Sequence, residues 1–332
     1  MIISRTPLRV SFFGGGSDFA EYYKNSKFGY GTTISTAINM YVYITVNKKF
    51  DKDIRVCYSE NEVVTDVSDI KHNLIREALH LTGIDHGVEI IYTADLPLSS
   101  AGVGLASSSA ITVGVLNALY AYKGVYVSPE TLARQACHIE IDILGNPIGI
   151  QDQFAVAHGG FKQYKYFRDD SVSVSPVVCS LDTMKRLKNN LLLFYTGMTR
   201  NSSSIMREQN DTIHSKMSLV DHVVTEAEDA FQNLVLGNLD EWGHALDRVW
   251  TTKKNFAKGI ANVEIDEMYD KAKSSGALGG KILGAGGGGF MLLYVPCEFQ
   301  ESVKKALSGY RLIDFNFEEE GSKIIFSKAN VA

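Results

Sequence analysis

Ser99-Ser100-Ala101-Gly102-Val103-Gly104-Leu105-Ala106-Ser107-Ser108-Ser109 is the stretch on which the fold turns. The small and apolar run at 110–122 that follows it, ended by Gly124, predicts a buried helix beginning at the serines. Such a helix start presents several unpaired backbone N–H groups at the positive end of the helix dipole. Polyphosphate binds at places of this kind, and serine hydroxyls add donors and a ligand for Mg²⁺. A serine-capped core helix would account for one serine, but not for a mixed Gly/Ser run of this length. The stretch is not a Walker A loop, because no lysine follows its glycines.

On either side of it, short strands precede and helices follow. A short apolar run leading into glycines predicts a strand over 10–13, and period-two alternation predicts strands over 40–46, 54–58 and 88–93. Apolar residues at Ile70, Leu74, Ile75, Ala78 and Leu79 predict a helix over 70–81, with Gly83 as its stop. Ser128-Pro129-Glu130 reads as N-cap, first helical proline and first-turn acid, opening a helix to about 140–143 that breaks at Gly145-Asn146-Pro147. Beyond it come a buried strand at 191–195, a long helical region to Gly237, a helix carrying Trp242 and Trp250, and another over 264–273. A strand at 290–295, a helix from Glu298 and two closing strands finish the chain. Segregated helices and antiparallel-looking strands predict an α+β fold in two units, 1–185 and 186–332.

Two further glycine clusters border predicted strands. Phe13-Gly14-Gly15-Gly16-Ser17-Asp18 lets a ligand approach the backbone and offers Asp18 as an acceptor for hydroxyl groups. A tight strand exit with Asp18 capping the next turn fits equally well. Gly284-Ala285-Gly286-Gly287-Gly288-Gly289 leads into a strand, whereas a dinucleotide fingerprint leads into a helix. A turn packed on a ligand or on the other unit fits better.

Two carboxylates complete the candidates, Glu140 at the end of one helix and Asp152 past the break. One could hold a hard cation, which prefers oxygen ligands, and the other could take a proton from an attacking hydroxyl. Either could equally be a solvated surface acid. The glycine-rich, weakly charged surroundings of Asp152 favour a buried role.

The composition is that of an ordinary folded chain: 332 residues, 45% hydrophobic and 21% charged, with 29 Gly against 6 Pro. A net charge of −5 gives no pull toward nucleic acid or anionic lipid, so neither is an expected partner. No apolar run is long enough to predict a membrane-spanning helix. Four scattered cysteines predict neither a disulfide framework nor a zinc site. Arg5 and Arg9 interrupt the short apolar stretch at the start, so no secretory leader is expected and the predicted compartment is the cytoplasm.

Taken together the motifs resemble the GHMP kinase superfamily. Arg5-Thr6-Pro7-Leu8-Arg9-Val10-Ser11 with Gly14 to Asp18 looks like its first motif, residues 97–110 like its second, and Lys281-Ile282-Leu283 with Gly284 to Phe290 like its third. Ala106 stands where the superfamily usually has Gly or Ser. The triple glycine before Ser17-Asp18 departs from the galactokinase pattern. Tyr195-Thr196-Gly197-x-x-Arg200-x-Ser202 is similar to a narrower group, the D-glycero-D-manno-heptose-7-phosphate 1-kinases with related fucokinase-like proteins.

The resemblance implies a ribosomal-protein-like N-terminal unit, a ferredoxin-like C-terminal unit and ATP between them. It places ATP on Gly102, Gly104, Leu105, Ala106, Ser107, Ser108 and Ser109, and Mg²⁺ on Ser108 and Glu140. It makes Asp152 the catalytic base, with Arg9 the cation beside it. Gly15, Gly16, Ser17, Asp18, Gly286 and Gly287 would contact the substrate, with Asp18 on a sugar hydroxyl. Arg200 is the preferred holder of a substrate phosphate, ahead of Lys162 and Lys165, because it follows a strand end and precedes a helix start. The implied activity is phosphorylation of the anomeric hydroxyl of heptose 7-phosphate to the 1,7-bisphosphate, for nucleotide-activated heptose used in capsule or lipopolysaccharide synthesis. The rivals are another sugar or metabolite kinase, a decarboxylase of the same superfamily, and a non-catalytic ATP- and sugar-binding regulator. The small-molecule partners are a phosphosugar and ATP, and the assembly a monomer or homodimer.

Overall fold

In the computed structural model, which describes residues 1–96, 104–198 and 202–328, the alternation at the chain's start forms one long strand, β1 (Ile2–Phe13). It exceeds the predicted span because its buried polar residues find partners across the interface. The Ser4 hydroxyl donates to the Gly114 carbonyl at 2.7 Å, and the Thr6 hydroxyl meets that of Ser322 at 2.8 Å. A short helix α1 (Ala20–Tyr23) leads to β2 (Tyr30–Lys48), whose 19 residues make it the spine of the larger sheet. There follow β3 (Ile54–Cys57), β4 (Asn61–Val64), α2 (Asn73–Thr82), β5 (Val88–Ala94), α3 (Ser107–Tyr122) and α4 (Pro129–Cys137). The α4 helix continues as a π turn over His138–Ile143. After the Gly145–Pro147 break come α5 (Gln151–His158), β6 (Phe161–Phe167) and β7 (Val172–Pro176).

The chain then builds α6 (Leu181–Asn189), β8 (Leu191–Tyr195), α7 (Ser202–Thr212), α8 (Met217–Leu236), α9 (Leu239–Lys253) and α10 (Val263–Ser274). The predicted continuous helix up to Gly237 is divided by a 3₁₀ turn at Ile213–Lys216, and Gly237 closes α8 in the left-handed conformation (φ +79°). Then follow β9 (Gly279–Ile282), β10 (Phe290–Tyr294), α11 (Gln300–Ala306), β11 (Arg311–Ile313), β12 (Phe317–Glu318) and β13 (Lys323–Ser327). Among the described residues no helix is long and apolar enough to cross a membrane.

The larger sheet has nine strands with the path β13-β1-β2-β5-β3-β4. Opposite β1, the first part of β2 pairs with β6, its middle with β12 and its last part with β5, so one strand carries three neighbours on the same edge. The four-stranded sheet runs β11-β8-β10-β9, antiparallel throughout. With helices between β8 and β9 and between β10 and β11, this is the β-α-β-β-α-β arrangement of ferredoxin-like folds, its first connection enlarged to several helices. The chain's end returns to the larger sheet: β12 pairs with β2 and β13 with β1. The expected division at 185/186 falls inside α6, between β7 of the larger sheet and β8 of the smaller one.

An aromatic seam joins the units behind the first glycine loop. Trp242 of α9 is fully buried, with its ring edge-on to Phe13 at 4.7 Å and to Phe12 at 5.5 Å between centroids. Burial of a ring of this size contributes roughly 1.5–3 kcal/mol. It also fixes where β1 ends, which is where the cleft between the units begins.

Candidate active site

Four elements converge on a cleft of about 490 Å³: β1 and its glycine loop, the start of α3, the start of α5, and the α9/β9 side of the second unit. Gly104, Ala106, Ser107, Ser108 and Ser109 line it, and α3 begins at Ser107. Leu105 is buried instead, and its carbonyl accepts from the Arg9 N–H at 3.1 Å, tying the loop to β1. Gly102 lies outside the described residues. Ala106 occupies the N-cap position in the left-handed region (φ +64°, ψ +35°), which an L side chain enters at a cost.

Arg9 projects from β1 into the junction and is 2% exposed. Its Nε and Nη2 donate to the same Asp152 oxygen, Oδ1, at 2.8 and 2.6 Å, and its Nη1 donates to the Gly104 carbonyl at 2.6 Å. One guanidinium thus holds both the phosphate-loop backbone and the α5 carboxylate. Asp152 stands in the first turn of α5 with its side chain 26% exposed, on the cleft wall.

Glu140 sits on the π turn, a feature frequent at functional sites. It is fully buried, yet its partners are neutral: Gln153 Nε2 donates to Oε1 at 3.1 Å and the Ser109 hydroxyl to Oε2 at 3.4 Å. Burial pushes its carboxyl up to about 7. Among the described residues no cation pairs with it, although it lines the cleft beside Ser108. A buried carboxylate beside hydroxyls, facing a place for phosphate oxygens, is a donor set that fits Mg²⁺.

Gly15 and Gly16 line the cleft, but Ser17 turns away from it. The Ser17 hydroxyl donates to the Gly14 and Thr32 carbonyls, each at 2.8 Å. Asp18 is almost fully buried. Its Oδ1 accepts from the Gly16 N–H at 2.9 Å and its Oδ2 from the Gln151 N–H at 3.4 Å, while burial raises its pKa. Asp18, expected on a sugar hydroxyl, does not line the cleft and is engaged on the first amide of α5, one residue from Asp152.

The third glycine loop meets the first unit at one close contact. A Cβ on Gly284 would stand 2.4 Å from the Gly104 Cα, so no side chain fits between the two loops. Of this loop, Gly284 and Ala285 line the cleft. The Gly287 N–H donates to the Ile260 carbonyl at 2.8 Å, and a Cβ on Gly286 would meet Ile260, so those two glycines pack the second unit. Arg200 lies outside the described residues. Lys162 and Lys165 are on β6 and do not line the cleft, and Lys165 pairs with Glu228 at 2.8 Å.

Several cleft residues carried no readable signal. Tyr58, His72 and Tyr92 form an edge-to-face aromatic wall at one end, with Tyr58 and His72 centroids 4.9 Å apart. Lys253 closes α9 among polar residues, where a lysine reads as an ordinary C-terminal charge. It is nonetheless buried, and burial pulls its ammonium down to about 8. Lys281 opens the third motif by sequence, and burial lowers it well below the usual lysine range.

The chain is similar to known proteins over its whole length. The model of the GHMP kinases N terminal domain matches residues 70–160, and that of the GHMP kinases C terminal region matches residues 230–307. A D-glycero-alpha-D-manno-heptose 7-phosphate kinase of Campylobacter jejuni is 28% identical, over 97% of this chain and 98% of that protein. A mevalonate kinase of Thermococcus onnurineus is 27% identical over 92% of each. The crystal structure of a D-glycero-D-manno-heptose 1-phosphate kinase from Bacteroides thetaiotaomicron superposes with a TM-score of 0.81 at 23% identity, covering 99% of this chain and 100% of that one. Both halves match in order, and the cleft between them joins a serine-rich helix start to a paired Arg9 and Asp152: the chain belongs to the GHMP kinase family and is a phosphotransferase.

Proposed function

We propose that this enzyme transfers the γ-phosphoryl group of ATP to the anomeric hydroxyl of D-glycero-D-manno-heptose 7-phosphate. The observation that carries the reading is the placement of Asp152. Arg9 holds one of its oxygens, and the other, Oδ2, has no hydrogen-bond partner among the described residues on the wall that also holds the α3 N-terminus. The similarity to the Campylobacter heptose 7-phosphate kinase over nearly the full length of both chains supports the choice of sugar.

In this reading the base of ATP lies against Tyr58, His72 and Tyr92, and its phosphates on the amides and hydroxyls at Ser107 to Ser109. Glu140 and Ser108 would hold Mg²⁺, which when bound neutralises charge on the phosphates. Asp152 Oδ2 accepts the proton of the anomeric hydroxyl as that oxygen bonds to the γ-phosphorus and the bond to ADP breaks. Arg9 keeps the carboxylate aimed through its two bonds to Oδ1.

The test is an ADP-release assay with heptose 7-phosphate, fucose, galactose and mevalonate offered in turn. ADP production is expected to rise with heptose 7-phosphate above all others. Preference for galactose, fucose or mevalonate would replace the acceptor assignment.

A further inference from the structure

Lys253, at the end of α9, and Lys281, on β9, face the same cleft. They are 5% and 2% exposed, and both line the cavity. Each ammonium has three donors but, among the described residues, a single acceptor: the Gly284 carbonyl for Lys253, and the Phe12 carbonyl at 3.0 Å for Lys281. Among the described residues neither forms an ion pair. Each of them, moreover, experiences Arg9 as a like charge, and Lys281 experiences Lys253 in the same way.

The local charge balance is therefore uneven. Three cations, Arg9, Lys253 and Lys281, face two carboxylates, Asp152 and Asp18, while the cleft's third carboxylate, Glu140, is held by Gln153 and Ser109. Asp152 is already engaged by Arg9, and Asp18 by backbone amides. Burying an ammonium without a counter-charge is strongly unfavourable. Two of them in one otherwise well-satisfied cleft call for an anion that arrives with a substrate. Their position says where it sits. Lys253 holds the carbonyl of Gly284, which packs on Gly104 at the root of the phosphate loop, and Arg9 joins that loop to Asp152.

We propose that Lys253 and Lys281 form an oxyanion site for a phosphoryl group beside Asp152. The group is either the γ-phosphoryl of the nucleotide or the phosphate already carried by the acceptor; the oxygen chemistry is the same. This rests on the phosphotransferase reading, and not on the identity of the sugar.

The experiment uses the whole chain with Lys253→Met and Lys281→Met. Calorimetry measures binding of ADP and of a non-hydrolysable ATP analogue. Steady-state kinetics compares heptose 7-phosphate with unphosphorylated heptose. Loss of a charge-assisted contact is expected to weaken the phosphoryl-bearing ligand by about ten- to a hundredfold. A weakened ATP analogue with ADP unchanged assigns the γ-phosphoryl. A raised KM for heptose 7-phosphate alone assigns the acceptor's phosphate. Unchanged ratios in both arms overturn the proposal. A purely structural role would lower the stability of the unliganded variants and leave both ratios intact. If a methionine variant does not fold, ¹⁵N spectra of the lysine ammonium groups in the unmodified enzyme decide. Both signals must move on titration with the ATP analogue or with heptose 7-phosphate, and signals still under both overturn the proposal. Absence of turnover with any phosphosugar would defeat the functional reading, while the nucleotide arm still reports on the lysines.

Discussion

Arg9 reaches Asp152 through two nitrogens but only one oxygen, Oδ1, so the pair is asymmetric by construction. The asymmetry leaves one oxygen held and the other, Oδ2, without a partner among the described residues, and the proposed base is that second oxygen. Asp152→Asn keeps the shape and removes the basic oxygen. A general base is worth about 10²–10⁴-fold, so kcat is expected to fall by that range while ATP binding persists. Turnover within a few-fold of the parent, measured at saturating substrates, would remove Asp152 from the role.

Asp18 is held on the backbone beside Asp152, at the neighbouring residue Gln151, rather than on the cleft wall. Its carboxylate accepts from the amides of Gly16 and Gln151, and so fixes the first glycine loop against the start of α5. Asp18→Asn replaces one acceptor oxygen with a donor that faces an N–H. The stability loss expected for an unsatisfied buried group is about 1–3 kcal/mol. Asp152 then loses its aim, so kcat should fall more than KM rises. A large KM effect with unchanged kcat and stability would restore a direct contact with the sugar.

The phosphate loop was legible as chemistry but not as backbone. Small residues followed by a helical run announce a helix start wherever they occur, and α3 does begin at Ser107. That Ala106 would take a left-handed conformation had no sequence signal, since alanine has no preference for it. The same contrast runs through the site. Gly104 and Gly284 are motif residues, yet their mutual contact depends on how the two units close. The length of β1 was hidden because Ser4, Thr6 and Ser11 look solvated in sequence, whereas all three are buried. Lys253 was unreadable for a related reason. A lysine ending a helix is ordinary, and only the packing of α9 against the cleft makes it exceptional.

Ala106 gives a stability test by comparison. Replacing it with glycine relieves a left-handed strain of about 1–2 kcal/mol. The same change removes a buried methyl, at about 0.8 kcal/mol, and frees the unfolded chain by about 0.5–1 kcal/mol. Ala106→Gly should therefore be close to neutral. Ala118→Gly, at a fully buried site within the same helix, has no strain to relieve and should cost about 2 kcal/mol. Denaturant unfolding of both variants measures the gap, and equal losses would contradict the strained N-cap.

Lys253 predicts a pH dependence with a definite sign. Burial, with Arg9 adding like-charge repulsion, holds its pKa near 8, while Asp18 and Asp152 oppose the shift without cancelling it. Below about pH 8 the lysine is protonated in both folded and unfolded chains, and the folded state carries the full cost of the buried charge. Between that pH and the ordinary lysine range near 10.4 the unfolded chain binds more protons, so stability rises with pH. The rise is on the order of 3 kcal/mol for so deep a shift. Lys253→Met has no proton to lose. The variant is expected to gain on the parent in the unliganded state below about pH 8, and the gap should change steadily against it from there to about pH 10. Lys281, which feels Lys253 as a like charge, shifts with the substitution and adds to the difference, whereas groups away from the pair cancel. A difference in unfolding free energy that stays flat from pH 7 to 10 would show that Lys253 titrates as an ordinary surface lysine.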